Sequence, residues 1–574
     1  VNKPEENMTK PTTETHSVKA CLVCGGPRVY YLFSVTGHRV VQCSDCGLVF
    51  LNPQPSDEEL SRIYDENYFL GSNSDLGRQA ASELKRATAK LYLSKIRQYR
   101  GPGGGRLLEI GCGDGDFLSV AEEEGWAITG VEYSSTACET VRKRLKKAEI
   151  ICGELPQAQL ADQRFDLCVI SDVVEHVRSP LVFLQEIHRL LKPGGVLFIA
   201  TPSMGSWSAR FMKQRWMEFK AEHLTYFDPE TLQTALFKSG YHEVVVESGW
   251  KILSFDYVKK HFDRYPVPWV TPAFKIAARL LPQKLQLRHQ NIVASGIMVF
   301  SKKTAVKLQP VLTVIVPAYN EAKTFGPLMD ELLKKELPGL TMEIIIVESG
   351  STDGTRDLAR NYASHPRVKL IFEDQPRGKG HAVRAGLQAA TGDYILIQDA
   401  DLEYDLADYD ALLEPLLAGR HAFVLGSRHG GRNVWKMRQF TGQLGLSLFV
   451  NLGHWFFTAL VNLLFFQKLR DPFTMFKVFR RDCLYGLDLK CNRFDFDFEL
   501  LVKLLRKGFK PVELPVNYRS RSFKEGKKVR FLRDPITWIG TIIWLRFLKI
   551  NPMNVIARTH GATAANTPLP PSQP

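Results

Sequence analysis

Three carboxylates within five residues, Asp399, Asp401 and Glu403, close an apolar run that begins at Tyr394. Four apolar or aromatic residues ending in acid read as a buried parallel strand whose carboxyl end opens on a crevice. Open α/β sheets bind ligands at that end of their strands. Alternate residues of an extended segment point the same way, so all three carboxylates are expected to face one hard cation, Mg2+ or Mn2+. Such an ion would clamp a diphosphate and stabilise it as a leaving group. The pattern alone is common. The chain repeats it at Asp114/Asp116, Asp408/Asp410 and Asp495/Asp497, so its neighbours must supply the specificity.

A second constellation is more specific. Cys21-x2-Cys24 and Cys43-x2-Cys46, separated by 18 residues, have the spacing of a tetrahedral zinc site with four thiolate ligands. Gly25, Gly26 and Gly47 come directly after the two knuckles, where turns around a metal need permissive backbone. Four thiolates leave no open position, so a structural Zn2+ is expected. Only Arg28, Arg39 and His38 are basic between Cys21 and Cys46, and no nucleic-acid partner is expected. The other six cysteines, Cys112, Cys138, Cys152, Cys168, Cys483 and Cys491, lie mostly in apolar or helical contexts. They are expected to be reduced core thiols in a reducing cytosol.

The third constellation is Leu107-Leu-Glu-Ile-Gly-Cys-Gly-Asp-Gly-Asp-Phe117, a strand running into a glycine-rich turn. Gly111, Gly113 and Gly115 let the backbone approach a ligand, and a helix from Leu118 to Glu124 faces the turn. Glu132 ends the next strand, where a carboxylate can accept hydrogen bonds from both ribose hydroxyls of a nucleoside. That spacing suits NAD equally. Phe165-Asp-Leu-Cys-Val-Ile-Ser-Asp-Val-Val-Glu-His-Val177 and Leu190-Leu-Lys-Pro-Gly-Gly-Val-Leu-Phe-Ile-Ala-Thr-Pro202 are similar to the later motifs of class I S-adenosylmethionine (SAM) methyltransferases. The run Cys46-Gly-Leu-Val-Phe-Leu-Asn-Pro-Gln-Pro55, with Tyr64 to Phe69, resembles the ribbon that precedes certain bacterial sugar C-methyltransferases of that class. The resemblance implies a doubly wound, seven-stranded, Rossmann-like sheet. It carries the SAM site onto Glu109, Gly111, Gly113 and Glu132, with Glu154 on the adenine side and Asp172 at the pocket floor. Glu222-His223-Leu-Thr-Tyr226-Phe resembles the acceptor segment of those enzymes, with His223 as base and Glu222 orienting it. His176 is assigned to the packing of its helix.

Beyond residue 311 the order of motifs decides the reading of the acidic cluster. Val311-Leu-Thr-Val-Ile-Val-Pro-Ala-Tyr-Asn-Glu321 is a strand stopping at Pro317, and Glu343-Ile-Ile-Ile-Val-Glu-Ser-Gly-Ser-Thr-Asp-Gly-Thr355 is another. Arg377-Gly-Lys-Gly-His-Ala-Val-Arg-Ala-Gly386 opens a helix with Lys379 suited to a phosphate. With Gly426-Ser-Arg428, Arg470-Asp-Pro-Phe-Thr-Met-Phe476 and Glu513-Leu-Pro-Val-Asn-Tyr-Arg-Ser-Arg521, this order resembles family 2 glycosyltransferases of the GT-A fold. The dolichol-phosphate mannosyltransferase type is the most similar. The resemblance places a nucleotide-sugar donor on Pro317, Tyr319, Glu321, Glu348, Asp353, Lys379 and Asp399. Glu348-Ser349 departs from the two aspartates usual there, which leaves the base identity open. Arg519, Arg521 and Lys527 stand where the family keeps cations for phosphates, whereas Lys503 and Lys507 read as a solvated basic face. A polyprenyl phosphate acceptor needs no general base. A hydroxyl acceptor does, and Asp471 is then the candidate, with Asp497 and Glu499 behind it.

Length and pattern define the elements that position these groups. At roughly 100–200 residues per domain, 574 residues call for three or four units. Residues 1–18 read as a disordered tail without a leader peptide, 19–70 as the zinc ribbon and its lead-in, and 71–305 as the methyltransferase. Residues 306–312 read as a linker, 313–550 as the glycosyltransferase, and 551–574 as a tail disordered from about 558. The overall class is α/β, with amphipathic C-terminal helices. Phe440 to Gln467 lacks Asp, Glu, Lys and Arg, yet Gln443, Ser447, Asn451, His454, Thr458 and Asn462 form a polar stripe along one helical face. Such a helix suits a membrane interface or a protein partner better than a span. Ile536 to Leu545 is a second apolar segment. The net charge of +14 favours anionic partners. The expectation is a bifunctional enzyme, cytoplasmic and peripheral at the inner face of the plasma membrane. It would methylate a sugar or glycan-related acceptor and transfer sugar, with inversion, to a polyprenyl phosphate. The alternatives are a glycan-extending transferase acting on a hydroxyl in surface polysaccharide synthesis, or a non-catalytic zinc-ribbon scaffold or nucleic-acid-binding protein. Neither acceptor, nor the donor sugar, nor the oligomeric state is readable.

Overall fold

A computed structural model describes residues 16–63, 75–264, 267–304, 309–429, 444–519 and 534–556. The expected tails fall largely outside these residues, as do Arg521 and Lys527. The chain divides into two compact units. The first runs to Thr304, apart from the short stretch His242–Val245, and the second begins at Ala305.

The first unit opens with a small antiparallel sheet of β1 (Val29–Val35), β2 (His38–Cys43) and β3 (Val49–Leu51). The seven-stranded sheet after it contains β4 (Arg106–Ile110), β5 (Ala127–Glu132), β6 (Glu149–Cys152), β7 (Phe165–Ser171) and β8 (Leu191–Pro202). The short β9 (Thr225–Tyr226) does not join it, whereas β10 (Tyr241–Leu253) and β11 (Gln290–Lys303) do. The order is β10-β11-β8-β7-β4-β5-β6, parallel from β8 to β6, with β11 antiparallel to β8. The chain moves outward from β4 to β6, then restarts on the other side of β4 at β7. That reversal is the switch point where doubly wound sheets bind ligands. The near-continuous apolar burial of β7 and β8 is what a parallel strand covered on both faces requires.

Instead of standing apart, the ribbon is stitched to the methyltransferase fold. β9 pairs with β3, Phe50 opposite Thr225 and Val49 opposite Tyr226, so the small sheet has four strands. Val40, Val49 and Leu51 share one buried cluster with Trp216, Phe219, Leu224 and Tyr226. A second departure concerns cysteine. Cys138 and Cys152 are joined as a disulfide, with Cα atoms 6.1 Å apart. Sequence separation does not reveal that the helix Ser135–Arg144 returns beside the end of β6.

The second unit is a single sheet of β12 (Val311–Ala318), β13 (Thr341–Glu348), β14 (Val368–Phe372), β15 (Tyr394–Ile397), β16 (Phe423–Ser427), β17 (Lys477–Arg480) and β18 (Val512–Pro515). Its order is β14-β13-β12-β15-β17-β16-β18, with β17 antiparallel to both of its neighbours. β12, β13 and β15 are parallel, and their carboxyl ends deliver Asn320, Glu348 and Asp399 to one edge.

Candidate functional sites

The four ribbon thiols converge. Cys21 and Cys46 Sγ lie 3.5 Å apart, as do Cys24 and Cys43, and the four form one cluster. Tetrahedral zinc at about 2.3 Å from each sulfur would set the sulfurs roughly 3.8 Å apart, so the donor set fits that ion.

At the switch point of the first unit, Gly111 adopts φ 72° and Gly113 φ 50° as the chain leaves β4. A Cβ at Gly111 would meet Val173 at 2.6 Å. Glu132 is buried at the end of β5 and accepts from the Gly113 and Ser134 amides at 2.8 and 2.9 Å. Glu109 is also buried. Burial first, then the charges of Glu132 and Asp116, push its carboxyl well above the usual range, and its Oε2 has no hydrogen-bond partner among the described residues. Glu154 is exposed and caps the 3-10 turn Leu155–Ala158. Asp172, in the left-handed region at φ 54°, forms an ion pair with Lys251 at 2.8 Å. Burial lowers the Lys251 ammonium, but Asp172 more than offsets this and holds it high.

The acceptor segment departs from expectation. His223 is buried, and burial with the neighbouring His176 holds its imidazole well below the usual range. The Glu222 group that bonds a histidine is its backbone carbonyl, which accepts from His176 Nδ1 at 2.9 Å. No contact of the Glu222 carboxylate orients His223 among the described hydrogen bonds. His176 instead meets His223 edge to face, with ring centres 4.7 Å apart. Glu175, inside the Phe165–Val177 motif but given no role there, has a carboxylate oxygen within 4.8 Å of a nitrogen of each ring. Burial and Asp172 raise its carboxyl to about 8.

In the second unit β15 ends at Ile397, and Asp399 to Leu402 form a turn with Leu402 at φ 55°. The expected extended alternation of the three carboxylates therefore does not hold. Asp399 forms an ion pair with Lys379 at 2.5 Å, and Asp401 accepts from the Glu403 amide at 3.1 Å. Glu403 accepts from the Tyr518 hydroxyl at 2.8 Å. Burial lowers the Lys379 ammonium, while Asp399, Asp497 and Asp401 raise it above its ordinary value. Asp399 and Asp401 remain suited to a divalent ion, with Glu403 held aside by Tyr518.

Glu348 is fully buried and already engaged. It accepts from the Ser351 amide and pairs with Arg356 Nε, both at 2.6 Å, and so braces its loop. Asp353 likewise ties loops together, accepting from Thr355 and from the Ala322 amide at 3.0 Å. Glu321 donates its amide to Thr355 Oγ1 at 2.8 Å. Pro317 and Tyr319 lie at the same strand end, half-buried.

Asp471 has a partner that the motif did not announce. Arg428 embraces it through Nε at 2.9 Å and a terminal nitrogen at 2.7 Å, and both side chains are buried. Burial raises the carboxyl but Arg428 lowers it further, so it stays ionised well below the usual range. A carboxylate so held is a poor proton acceptor. Glu499 is spent on the Lys490 and Cys491 amides and on Lys503, whereas Asp497 lies 3.5 Å from Lys477. Lys503 and Lys507, expected on a solvated face, are buried, and burial lowers Lys507 to about 8. Arg519 is exposed and donates its amide to the Glu403 carbonyl at 2.9 Å.

Comparison with known proteins places both halves. A family model described as a methyltransferase domain matches residues 76–246, and one described as glycosyl transferase family 2 matches residues 313–486. A dolichyl-phosphate beta-glucosyltransferase of Trichomonas vaginalis is 30% identical over 247 residues, 41% of this chain and 71% of that protein. The chain belongs to glycosyl transferase family 2. The human dolichyl-phosphate beta-glucosyltransferase is 33% identical over 208 residues, covering 33% of this chain and 61% of that protein. The dolichol-phosphate mannosyltransferase of Pyrococcus furiosus is 28% identical over 221 residues, covering 38% and 58%. Among solved structures, a SAM-dependent methyltransferase from Archaeoglobus fulgidus aligns with 39% of this chain and 94% of its own, at 21% identity and a TM-score of 0.27. This family 2 member is an enzyme with a methyltransferase domain ahead of its glycosyltransferase domain.

Proposed function

We propose that the chain methylates a sugar or glycan-related acceptor with SAM and transfers a sugar from a nucleotide-sugar, with inversion, to a polyprenyl phosphate at the inner face of the plasma membrane. The observation that carries the second half is the helix Leu444–Phe465. Of its polar stripe, His454, Thr458 and Asn462 face the unit, while Gln443 and the Ser447 side chain lie outside the described residues. Several of its apolar residues face outward, in the same unit as the Asp399–Asp401 turn. His454 meets His429 at 3.1 Å, and Asn462 bonds the Leu469 backbone at 2.8 and 2.9 Å. Leu448, Phe449, Leu452, Trp455, Phe456 and Leu463 are exposed. The names of the relatives, dolichyl-phosphate transferases, support the same acceptor class.

Asp399 and Asp401 would hold a divalent ion, which would supply positive charge against the departing diphosphate. Lys379 at the start of its helix lies beside them to meet the same charge. The acceptor phosphate oxygen, already anionic, bonds the anomeric carbon from the face opposite the diphosphate, whose oxygen leaves with the bonding pair. No proton has to be removed. This agrees with an Asp471 that Arg428 keeps from acting as a base. In the first unit, Glu132 would hold the ribose, with the buried Glu109 beside the glycine turn. SAM supplies the methyl group. The four thiolates would hold Zn2+ as a structural ion.

The test is transfer of labelled sugar to a polyprenyl phosphate in vesicles, with a water-soluble glycoside as the competing acceptor. Label should enter the lipid. Equal transfer to the glycoside, with none to the lipid, would replace this reading by a glycan-extending one. SAM binding by calorimetry tests the other half, and no binding would sink it.

A further inference from the structure

Backbone hydrogen bonds lock two distant segments together beside β9. The Leu224 amide donates to the Glu175 carbonyl at 2.8 Å, and His176 Nδ1 reaches the Glu222 carbonyl at 2.9 Å. Since a carbonyl can only accept, Nδ1 carries the proton and Nε2 is the lone-pair atom. That is how a metal-binding histidine is usually prepared by its surroundings. Nε2 lies 4.0 Å from Glu175 Oε1. Glu175 is 2% exposed. Its Oε2 accepts from Thr201 Oγ1 at 2.9 Å, and its Oε1 has no hydrogen-bond partner among the described residues. The nearby Lys251 ammonium is taken by Asp172. His223, 4% exposed, completes the group, and one ligand atom from each of the three residues lies within 4.8 Å of the others.

A buried Glu175 oxygen without a donor is costly, and the His176 Nε2 lone pair facing it cannot satisfy it. A metal ion can. We propose that Glu175, His176 and His223 form a binding site for a divalent transition metal ion. Two nitrogens and one carboxylate suit Mn2+, Fe2+ or Zn2+, and three protein ligands leave positions open to water or another oxygen. Rotations that draw the ligand atoms together by roughly 1 Å would bring them to ordinary bonding distance of about 2.1 Å. His223 is then a ligand rather than the general base its motif suggested. The site stands whether or not the methyl acceptor is a sugar.

The probe is Mn2+ alone, added to the metal-stripped full chain carrying Asp401→Asn and His454→Gln, which disable the Asp399–Asp401 turn and the His429, His454 and Asp471 group as competing cation sites. Thiolates of the ribbon bind Mn2+ poorly. Magnetic resonance of free and bound Mn2+ should count one bound ion, with spin-echo modulation from imidazole nitrogen. His223→Ala should reduce that modulation to a single nitrogen and weaken binding at least tenfold. Glu175→Gln preserves shape and the Thr201 contact, so it decides the matter if His223→Ala does not fold. With a metal site, Glu175→Gln loses Mn2+. Without one, Glu175→Gln leaves Mn2+ uptake unchanged. Uptake that Glu175→Gln does not alter, or bound Mn2+ lacking nitrogen modulation, overturns the proposal.

Discussion

Arg428 and Asp471 stand almost entirely out of water, 5% and 0% exposed, and each neutralises the other. Glu513 adds a second constraint by accepting from the Arg470 and Asp471 amides. Removing one charge of such a pair leaves the other uncompensated, which typically costs about 3–5 kcal/mol. Asp471→Asn should therefore lower the melting temperature of the second unit by several degrees as well as its activity. A general base would behave differently, losing turnover at unchanged stability, and a melting curve beside a rate assay separates the two. The motif around Asp471 is legible in the sequence, but its role is not. The counter-ion is contributed from the end of β16, and residue type alone cannot say whether a carboxylate faces substrate or arginine. Glu348 is a similar case, because Arg356, eight residues on, already pairs with its carboxylate.

Strands are easier to read in a sequence than the turns that end them. The apolar runs of β4, β12, β13 and β15 reveal buried parallel strands, and the glycine turn after β4 marks a switch point correctly. The acidic turn after β15 escapes such a reading because alternation applies only while the chain stays extended, and Leu402 has left that region. Pairing between remote elements is equally hidden. Two-residue β9 has no periodicity to detect, yet it joins the ribbon to the segment bearing Glu222 and His223. Chelation of zinc, or Cys43→Ser, should unfold β1 to β3 and deprive β9 of its partner. Methyl transfer should then fall while sugar transfer persists, and assaying both on one preparation checks this. Glu343 is a comparable staple in the second unit, accepting from Thr313, Thr391 and Lys369. Burial raises its carboxyl but these donors lower it further, to about 2 from an ordinary 4.5. A depressed carboxylate stabilises the fold above its unfolded pKa and loses that contribution as pH falls toward the folded one. Unfolding midpoints should thus drop between pH 4.5 and about 2. Glu343→Gln should flatten that limb while lowering the midpoint at neutral pH.

At the scale of the whole chain, a water-soluble donor must meet an acceptor held in a bilayer. The helix Leu448–Phe465 is long and apolar enough to cross a membrane by length and composition. Its inward polar contacts, however, make it one wall of the second unit. The sequence shows a striped helix but not which stripe faces protein, since either face can be buried when the environment outside is lipid. Ile536, Ile543, Trp544 and Phe547 on the helix Asp534–Phe547 add further exposed apolar surface. A net charge of +14 adds attraction to anionic headgroups, on the order of 1 kcal/mol for each Lys or Arg near the surface. Attachment with both components should release only partly in high salt, the remainder requiring detergent. Leu452 and Phe456, 63% and 51% exposed, are the positions to change. Leu452→Asp with Phe456→Asp should shift the protein to the soluble fraction of a vesicle sedimentation assay and reduce transfer to lipid-linked acceptor. The melting curve and methylation should be preserved. Phe457 is the control, buried against Phe473, Phe498 and Trp538, and Phe457→Asp should destabilise the unit instead. If the double variant sediments with vesicles as the parent does, the outward apolar face has some other occupant and the membrane reading fails.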